Sequence, residues 1–96
     1  MQPITSETMH FVTLIRFKKK LTKEDVDRTD RIIRENPSIK VREMLWTFGH
    51  YDGILVAEAP DAETYLKFIL QFTDYLSTET LAAFPREEAL KLAGLR

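Results

Sequence analysis

Four side chains that can take part in chemistry fall within one short stretch of this chain: Trp46, His50, Tyr51 and Asp52. An imidazole with an ordinary pKa of about 6.5 can transfer protons at physiological pH, and a neighbouring carboxylate can orient it. Indole and phenol rings can stack against a flat ligand. The stretch therefore predicts a candidate site in which His50 is a proton shuttle, Asp52 orients it, and Trp46 and Tyr51 contact the ligand.

A second group of polar side chains lies on the strands predicted to flank this stretch. His10 and Arg16 share one face of the first strand, and Glu58 shares a face with Asp52 on the third, because side chains alternate between the two faces of a strand. If these faces coincide, the charges can pair within a polar cavity. His10 is then an alternative proton shuttle, Arg16 an anchor for a substrate anion, and Glu58 a ligand contact.

The residues of the hairpin and the two histidines also have a structural interpretation, which the sequence favours over chemistry. Gly49 supplies a backbone conformation with positive φ at the turn. Asp52 accepts backbone hydrogen bonds or pairs with a nearby cation. Trp46 and Tyr51 pack in the core or at an interface, and both histidines lie at exposed or interface positions.

The composition predicts no metal and no cofactor. The chain has no cysteine, which excludes disulfides and thiolate ligands, and its two histidines do not have the spacing of a helical zinc motif. A net charge of −1 gives no support for a nucleic-acid or anionic-membrane partner. The run Lys18-Lys19-Lys20 is interpreted as a solvated strand end, with phosphate binding as the alternative.

The length and the N-terminal sequence indicate where the protein is located and how many domains it has. Its apolar runs are too short to cross a bilayer, and its N-terminus lacks the basic end and apolar core of a signal peptide. We therefore expect a cytoplasmic protein. A chain of 96 residues predicts one domain, here residues 9–96 behind a disordered tail of residues 1–8.

Hydrophobic periodicity and capping residues predict the elements that position these side chains. Strands are predicted over residues 9–18, 41–48, 51–59 and 77–84, and regular alternation places Val41 and Glu43 on one face of the second. A first helix begins after Thr22, which forms a capping box with Asp25, and it ends at Asn36, before a proline. Val26 belongs to its predicted narrow buried stripe. A second helix is capped by Asp61 and has an apolar band too wide for one face. A short terminal helix starts at residues 85–88, with Pro85 in its first turn and Gly94 near its end.

The order β-α-β-β-α-β, with a terminal helix, predicts an α+β fold of the ferredoxin-like type. In that arrangement both helices lie on one side of a four-stranded antiparallel sheet. The predicted strands are apolar on both faces, and an exposed sheet face of that kind is unusual for a monomer. We therefore predict a homodimer that packs sheet against sheet about a two-fold axis, and a higher oligomer is left open.

Four segments of the chain resemble, in order, the GYD-domain family: residues 11–17, 46–52, 58–61 and 78–84. The most specific are residues 49–52, of the form Gly-x-Tyr-Asp, and residues 58–61, Glu-Ala-Pro-Asp. The resemblance covers roughly residues 9–88 and implies a dimeric α/β barrel without implying a particular activity. His50 fills the variable position of the first motif. Residues 74–77 lack the glycine and arginine that relatives often have there, so the resemblance implies no anion-binding turn.

The predicted order of strands and helices is also similar to that of the ligand-binding domain of Lrp/AsnC-type regulators, in which a Gly-x-Tyr-Asp hairpin likewise joins the middle strands. This chain has no room for the helix-turn-helix that accompanies that domain, so the resemblance implies an effector module alone. The leading interpretation is a small-ligand-binding or regulatory module that acts as a dimer. The alternative, by analogy of fold, is a cofactor-independent monooxygenase, isomerase or dehydratase of a small aromatic or lactone substrate, and a purely structural role is the third.

Overall fold

Four strands and three helices follow one another in the predicted order. The structure, a computed structural model, describes residues 8–96. The strands are β1 (Met9–Phe17), β2 (Lys40–Trp46), β3 (Gly53–Ala59) and β4 (Leu76–Ala83). The helices are α1 (Lys23–Glu35), α2 (Ala62–Ile69) and α3 (Arg86–Leu92), and a 3-10 turn, Leu70–Phe72, follows α2. Of the predicted N-terminal tail, residues 1–7 lie outside the described residues.

The strands form one antiparallel sheet in the order β2-β3-β1-β4. Helix α1 joins β1 to β2, and α2 joins β3 to β4, which is the ferredoxin-like arrangement. The predicted α+β fold is therefore confirmed. No helix in the described part of the chain combines the length and the apolar character needed to cross a membrane.

Local caps explain where the first two helices begin. The Thr22 hydroxyl accepts a hydrogen bond from the backbone N–H of Asp25, and the Asp25 carboxylate accepts one from the N–H of Thr22. The predicted capping box of α1 is therefore present. The Asp61 carboxylate accepts a hydrogen bond from the N–H of Thr64 at 2.7 Å and caps α2, as predicted.

One face of the sheet packs against the helices and forms the core. Tyr65 and Phe68 of α2 are 2% and 1% exposed, and Phe11 stacks on Tyr65 with ring centroids 4.3 Å apart. The hydroxyl of Thr13, which is fully buried beneath them, lies 2.6 Å from that of Tyr65 and 2.9 Å from that of Thr80. The buried hydroxyls are thus paired, and apolar burial on this face can stabilise the domain.

The opposite face of the sheet has no helix over it among the described residues, and we call it the free face. Side chains of neighbouring strands form its apolar centre, and these are Val12, Leu14, Leu45, Ile54, Val56 and Leu81. Leu45 is 49% exposed and Leu81 is 46% exposed. The sheet is therefore apolar on both faces, as the sequence predicts.

One expectation about β2 is wrong. Simple alternation places Val41 and Glu43 on the same face, but the pairing register shifts between them. Val41 pairs with Ala57 and packs against the core, whereas Glu43 pairs with Val56 on the free face. A bulge at Arg42 explains the difference, because one extra residue moves the following side chains to the other face.

Candidate functional site

The hairpin that joins β2 to β3 divides the predicted site residues between the two faces of the sheet. Trp46 pairs with Gly53, and its ring lies on the helix side, edge-on to Phe17 with centroids 5.3 Å apart. His50 lies on the other side, where its Nε2 atom is 3.3 Å from Nη1 of Arg16. The structure therefore does not bring Trp46 and His50 into one pocket.

A polar cluster stands at the hairpin end of the free face, and we call Arg16, His50, Tyr51 and Glu79 the rim cluster. The Tyr51 hydroxyl donates to Oε1 of Glu79 at 2.8 Å, and the rings of His50 and Tyr51 meet edge to face at 4.8 Å. The bond to the Glu79 carboxylate, helped by desolvation, raises the pKa of the Tyr51 phenol. Sequence reasoning missed Glu79, because only the pairing of β4 with β1 brings it to this end of the sheet.

Arg16 is the permanent cation of the rim cluster. Among residues 8–96 it makes no salt bridge, and its hydrogen bond is to His50. A guanidinium can only donate, so Nε2 of His50 accepts, and we assign the imidazole proton to Nδ1. In this arrangement Arg16 is available to an anion, whereas the basic nitrogen of His50 is already occupied.

Asp52 holds the hairpin and does not orient His50. Its Oδ2 atom accepts a hydrogen bond from the N–H of Phe17 at 2.8 Å, and its own N–H donates to the carbonyl of Ile15, also at 2.8 Å. This is the structural role that the sequence favours. Gly49, with a φ of +114°, supplies the predicted left-handed turn residue.

Replacing Asp52 by alanine is expected to lower the free energy of unfolding by about 1–3 kcal/mol, because the N–H of Phe17 loses its charged acceptor. Chemical denaturation at fixed protein concentration measures this change. Asp27→Ala is the control, since it removes a carboxylate from the exposed face of α1, and there we expect a change below about 0.5 kcal/mol. Equal stability of the two variants would show that Asp52 does not hold the hairpin.

His10 and Glu58 lie at the opposite end of the sheet from the rim cluster. They are direct neighbours across β1 and β3. Glu58 accepts hydrogen bonds from Nε of Arg42 at 2.6 Å and from the Thr8 hydroxyl at 3.1 Å. The Arg42 guanidinium holds the pKa of Glu58 below its usual value. The predicted group of charges is therefore split between two ends of the sheet, with His10 and Arg16 at opposite ends of β1.

An apolar groove of about 210 Å³ lies on the helix side of the hairpin, and we call it the hairpin groove. Its principal walls are Phe17, Leu21, Val26, Met44 and Trp46. The side chains of Trp46, Met44 and Val26 are 73%, 47% and 42% exposed. Val26, which the sequence assigns to the buried stripe of α1, is exposed because it lines this groove.

Few polar groups line the hairpin groove. The Thr29 hydroxyl donates to the carbonyl of Asp25 at 2.8 Å and lies 2.6 Å from that of Tyr75, so both hydroxyls have partners. Asp30 is the charged residue of the lining. An engineered apolar cavity of about 150 Å³ holds benzene, so the volume of this groove suits a molecule with a single ring. No group of three or more His, Asp or Glu side chains that could hold a metal ion occurs among residues 8–96.

Comparison with solved structures supports the fold. An AsnC family transcriptional regulator from Agrobacterium tumefaciens is 20% identical, with a TM-score of 0.59, over 81% of this chain and 51% of that one. The protein PH0061 is also 20% identical, with a TM-score of 0.58, over 81% of this chain and 53% of that one. The de novo designed protein Foldit4 is 13% identical, with a TM-score of 0.56, over 82% of this chain and 99% of that one.

These likenesses concern the fold alone, since identity is low in each case. The chain spans about half the length of the AsnC family regulator and of PH0061. A comparison with curated protein sequences gives no match. Residues 11–93, which include the hairpin and all four strands from Phe11 onward, match the GYD domain, and the chain therefore belongs to the GYD domain family.

Proposed function

We propose that this chain is a small-ligand-binding module that works as a homodimer, and that its ligand is a compact, largely apolar molecule such as a single-ring aromatic. The hairpin groove carries this proposal. It combines an apolar lining, a volume of about 210 Å³ and a tryptophan that is 73% exposed. A concave apolar site with few polar groups is the usual form of a small-molecule site.

Trp46 is the residue that would recognise a flat ligand. Phe17 meets its ring edge to face, and the indole remains largely open to solvent. A ligand stacked on the indole would remove apolar surface from water and gain the offset-stacking attraction of two rings. The likeness to an AsnC family transcriptional regulator is consistent with a regulatory use of such a ligand.

The homodimer would form through the free face. A second copy presents the same apolar centre, so two-fold packing would bury both faces at once. Charges of both signs, including Arg16 and Glu79, stand around this centre. A two-fold contact can place such charges opposite each other, which favours a defined register between the copies.

The arrangement favours binding over the enzymatic alternative. A proton shuttle must reach the reacting atoms through a hydrogen bond or one water. His50 contacts Arg16 on the face opposite to the hairpin groove, and the Asp52 carboxylate contacts the backbone of Phe17. The predicted relay is therefore not assembled within one chain.

Fluorescence of Trp46 tests the proposed ligand site, because this is the only tryptophan in the chain. Adding toluene or phenol is expected to change the emission of Trp46 in a saturable manner, since the ring displaces water from the indole. The substitution Met44→Glu is expected to weaken this binding at least about tenfold, because an apolar ligand would strip water from the new carboxylate.

Met9→Glu is the matched control for this titration. Met9 is 39% exposed and Met44 is 47% exposed, but Met9 stands at the other end of the sheet and does not line the groove. Equal binding by the two variants, or a response of the natural protein that never saturates, would contradict the proposed site. Recovery of the added toluene or phenol chemically unchanged after incubation would favour a binding module, and its conversion to a product would favour the enzymatic alternative.

A further inference from the structure

The segment of residues 84–96, which we call the C-terminal arm, leaves almost all of its side chains exposed, although Phe84 and Glu88 line an open pocket beside Met9. None of the residues of α3 is buried. Three large apolar side chains of the arm, Phe84, Leu92 and Leu95, are 60%, 71% and 69% exposed. The ion pairs that the described residues show for the arm run within it, from Arg86 and Arg96 to Glu87.

The sequence nevertheless specifies a helix in this arm. Pro85 stands immediately before its first turn, which is acidic, and Lys91 lies in its last turn. Gly94 follows with a φ of 75°, which is the usual left-handed end of a helix. A helix as short as α3 is unstable alone in water. None of its residues is fully buried in this chain, so packing against a further surface would stabilise it.

The arm continues directly from the free face. On β4, Leu81 pairs with Val12 and Ala83 pairs with His10, so both side chains lie on that face. Phe84 is the next residue. The arm therefore begins at the edge of the free face.

The free face is one part of the surface that a dimer could bury. Strands lie about 4.8 Å apart and rise about 3.3 Å per residue, so four strands sharing a seven-residue ladder present a flat area of about 440 Å². A stable interface buries about 800 Å² on each partner. The side chains of the free face add to this flat area, and the exposed apolar side chains of the arm adjoin it and would extend the surface that a dimer buries.

We infer that the C-terminal arm of each copy packs on the second copy of this chain, where Phe84, Leu92 and Leu95 complete the interface begun by the free face. The inference rests on the proposed homodimer and goes beyond it, since sheet-to-sheet packing by itself does not involve the arm. A second copy is the occupant because one two-fold contact buries two uncovered apolar surfaces, the face and the arm, on both chains at once.

The test compares two pairs of exposed leucines. The arm variant is Leu92→Ser with Leu95→Ser. The matched control is Leu66→Ser with Leu70→Ser, which changes two leucines of the α2 region that are 55% and 56% exposed. Sedimentation equilibrium over a dilution series gives the dimer dissociation constant. We expect the arm variant to raise this constant at least about tenfold, because it removes two apolar side chains that the second copy would bury, and the control to leave it within about threefold.

Hydrogen exchange supplies an independent readout. The amides of residues 86–95 are expected to become protected as the dimer forms on increasing protein concentration, and to exchange freely in the monomer. A natural protein that stays monomeric would overturn the homodimer and this inference together. The inference alone would be overturned if the arm variant dimerised with an unchanged dissociation constant, or if the amides of residues 86–95 stayed unprotected in the dimer. Either result would leave the homodimer unaffected.

Discussion

Replacing Val12 by aspartate is expected to convert the homodimer into a monomer. Val12 lies on the central strand β1 and pairs with Val56 on one side and Leu81 on the other. In a two-fold contact between free faces, its side chain would be buried among apolar groups. An unpaired carboxylate at that position would lose its water without gaining a partner, which costs several kcal/mol.

The size of the expected effect follows from that cost. A loss of about 2.8 kcal/mol raises the dissociation constant of a dimer a hundredfold, since each 1.4 kcal/mol is a factor of ten. We therefore expect the Val12→Asp variant to sediment as a monomer at concentrations where the natural protein is a dimer. Far-ultraviolet circular dichroism should show that the variant remains folded, because in the monomer Val12 is only partly buried and a charge there stays hydrated.

Leu66→Asp is the control for this experiment. It places the same charge at an exposed leucine of α2, on the opposite side of the sheet from the free face, and its dissociation constant should remain close to that of the natural protein. If both variants dissociate equally, the interface does not use the free face. A natural protein that is monomeric at micromolar concentration would exclude the homodimer itself.

Local signals in the sequence predicted most of the fold. The capping residues Thr22 and Asp61 act through atoms within three residues of themselves, and Gly49 adopts the positive φ that a turn requires. Such short-range chemistry depends little on the rest of the molecule. Such signals can therefore be recognised in a single sequence, and they predicted the order of the strands and helices.

The candidate site was harder to predict, because it depends on register. One bulged residue, Arg42, reverses the faces of the first half of β2 relative to simple alternation. The hairpin then sends Trp46 and His50 to opposite sides of the sheet, although only three residues separate them in the sequence. Glu79 joins Tyr51 through the pairing of a strand from the other end of the chain. A single sequence carries no direct sign of such long-range pairings.

The exposed arm shows the other limit of sequence reasoning. Pro85 and Gly94 delimited α3 correctly, but capping residues specify a helix and say nothing of what it packs against. Leu66 of α2 and Leu70 of the turn after it raise the same question, since the predicted band was too wide for one face and both leucines are more than half exposed. A side chain's solvent exposure is a property of the folded molecule, and it decides which apolar residues remain for a partner.

Replacing Phe68 by alanine is expected to have the largest effect on the stability of the domain. Phe68 is 1% exposed, and its ring meets Tyr65 at 5.9 Å and Phe72 at 5.1 Å between centroids. Truncating a buried phenylalanine costs about 3–5 kcal/mol, since contacts are lost and a cavity remains. A domain of this length has a total stability of about 5–14 kcal/mol. The variant should therefore unfold at markedly lower denaturant concentration.

The matched control for Phe68→Ala is Phe84→Ala, made in the monomeric Val12→Asp background so that dimerisation does not contribute. Both changes remove the same atoms, but Phe84 is 60% exposed. In the monomer we expect Phe84→Ala to change the free energy of unfolding by less than about 0.5 kcal/mol. A cost similar to that of Phe68→Ala would show that the arm packs within its own chain. A small cost in the monomer, together with a weaker dimer when Phe84 is changed in the natural background, would assign the contact of this ring to the second copy.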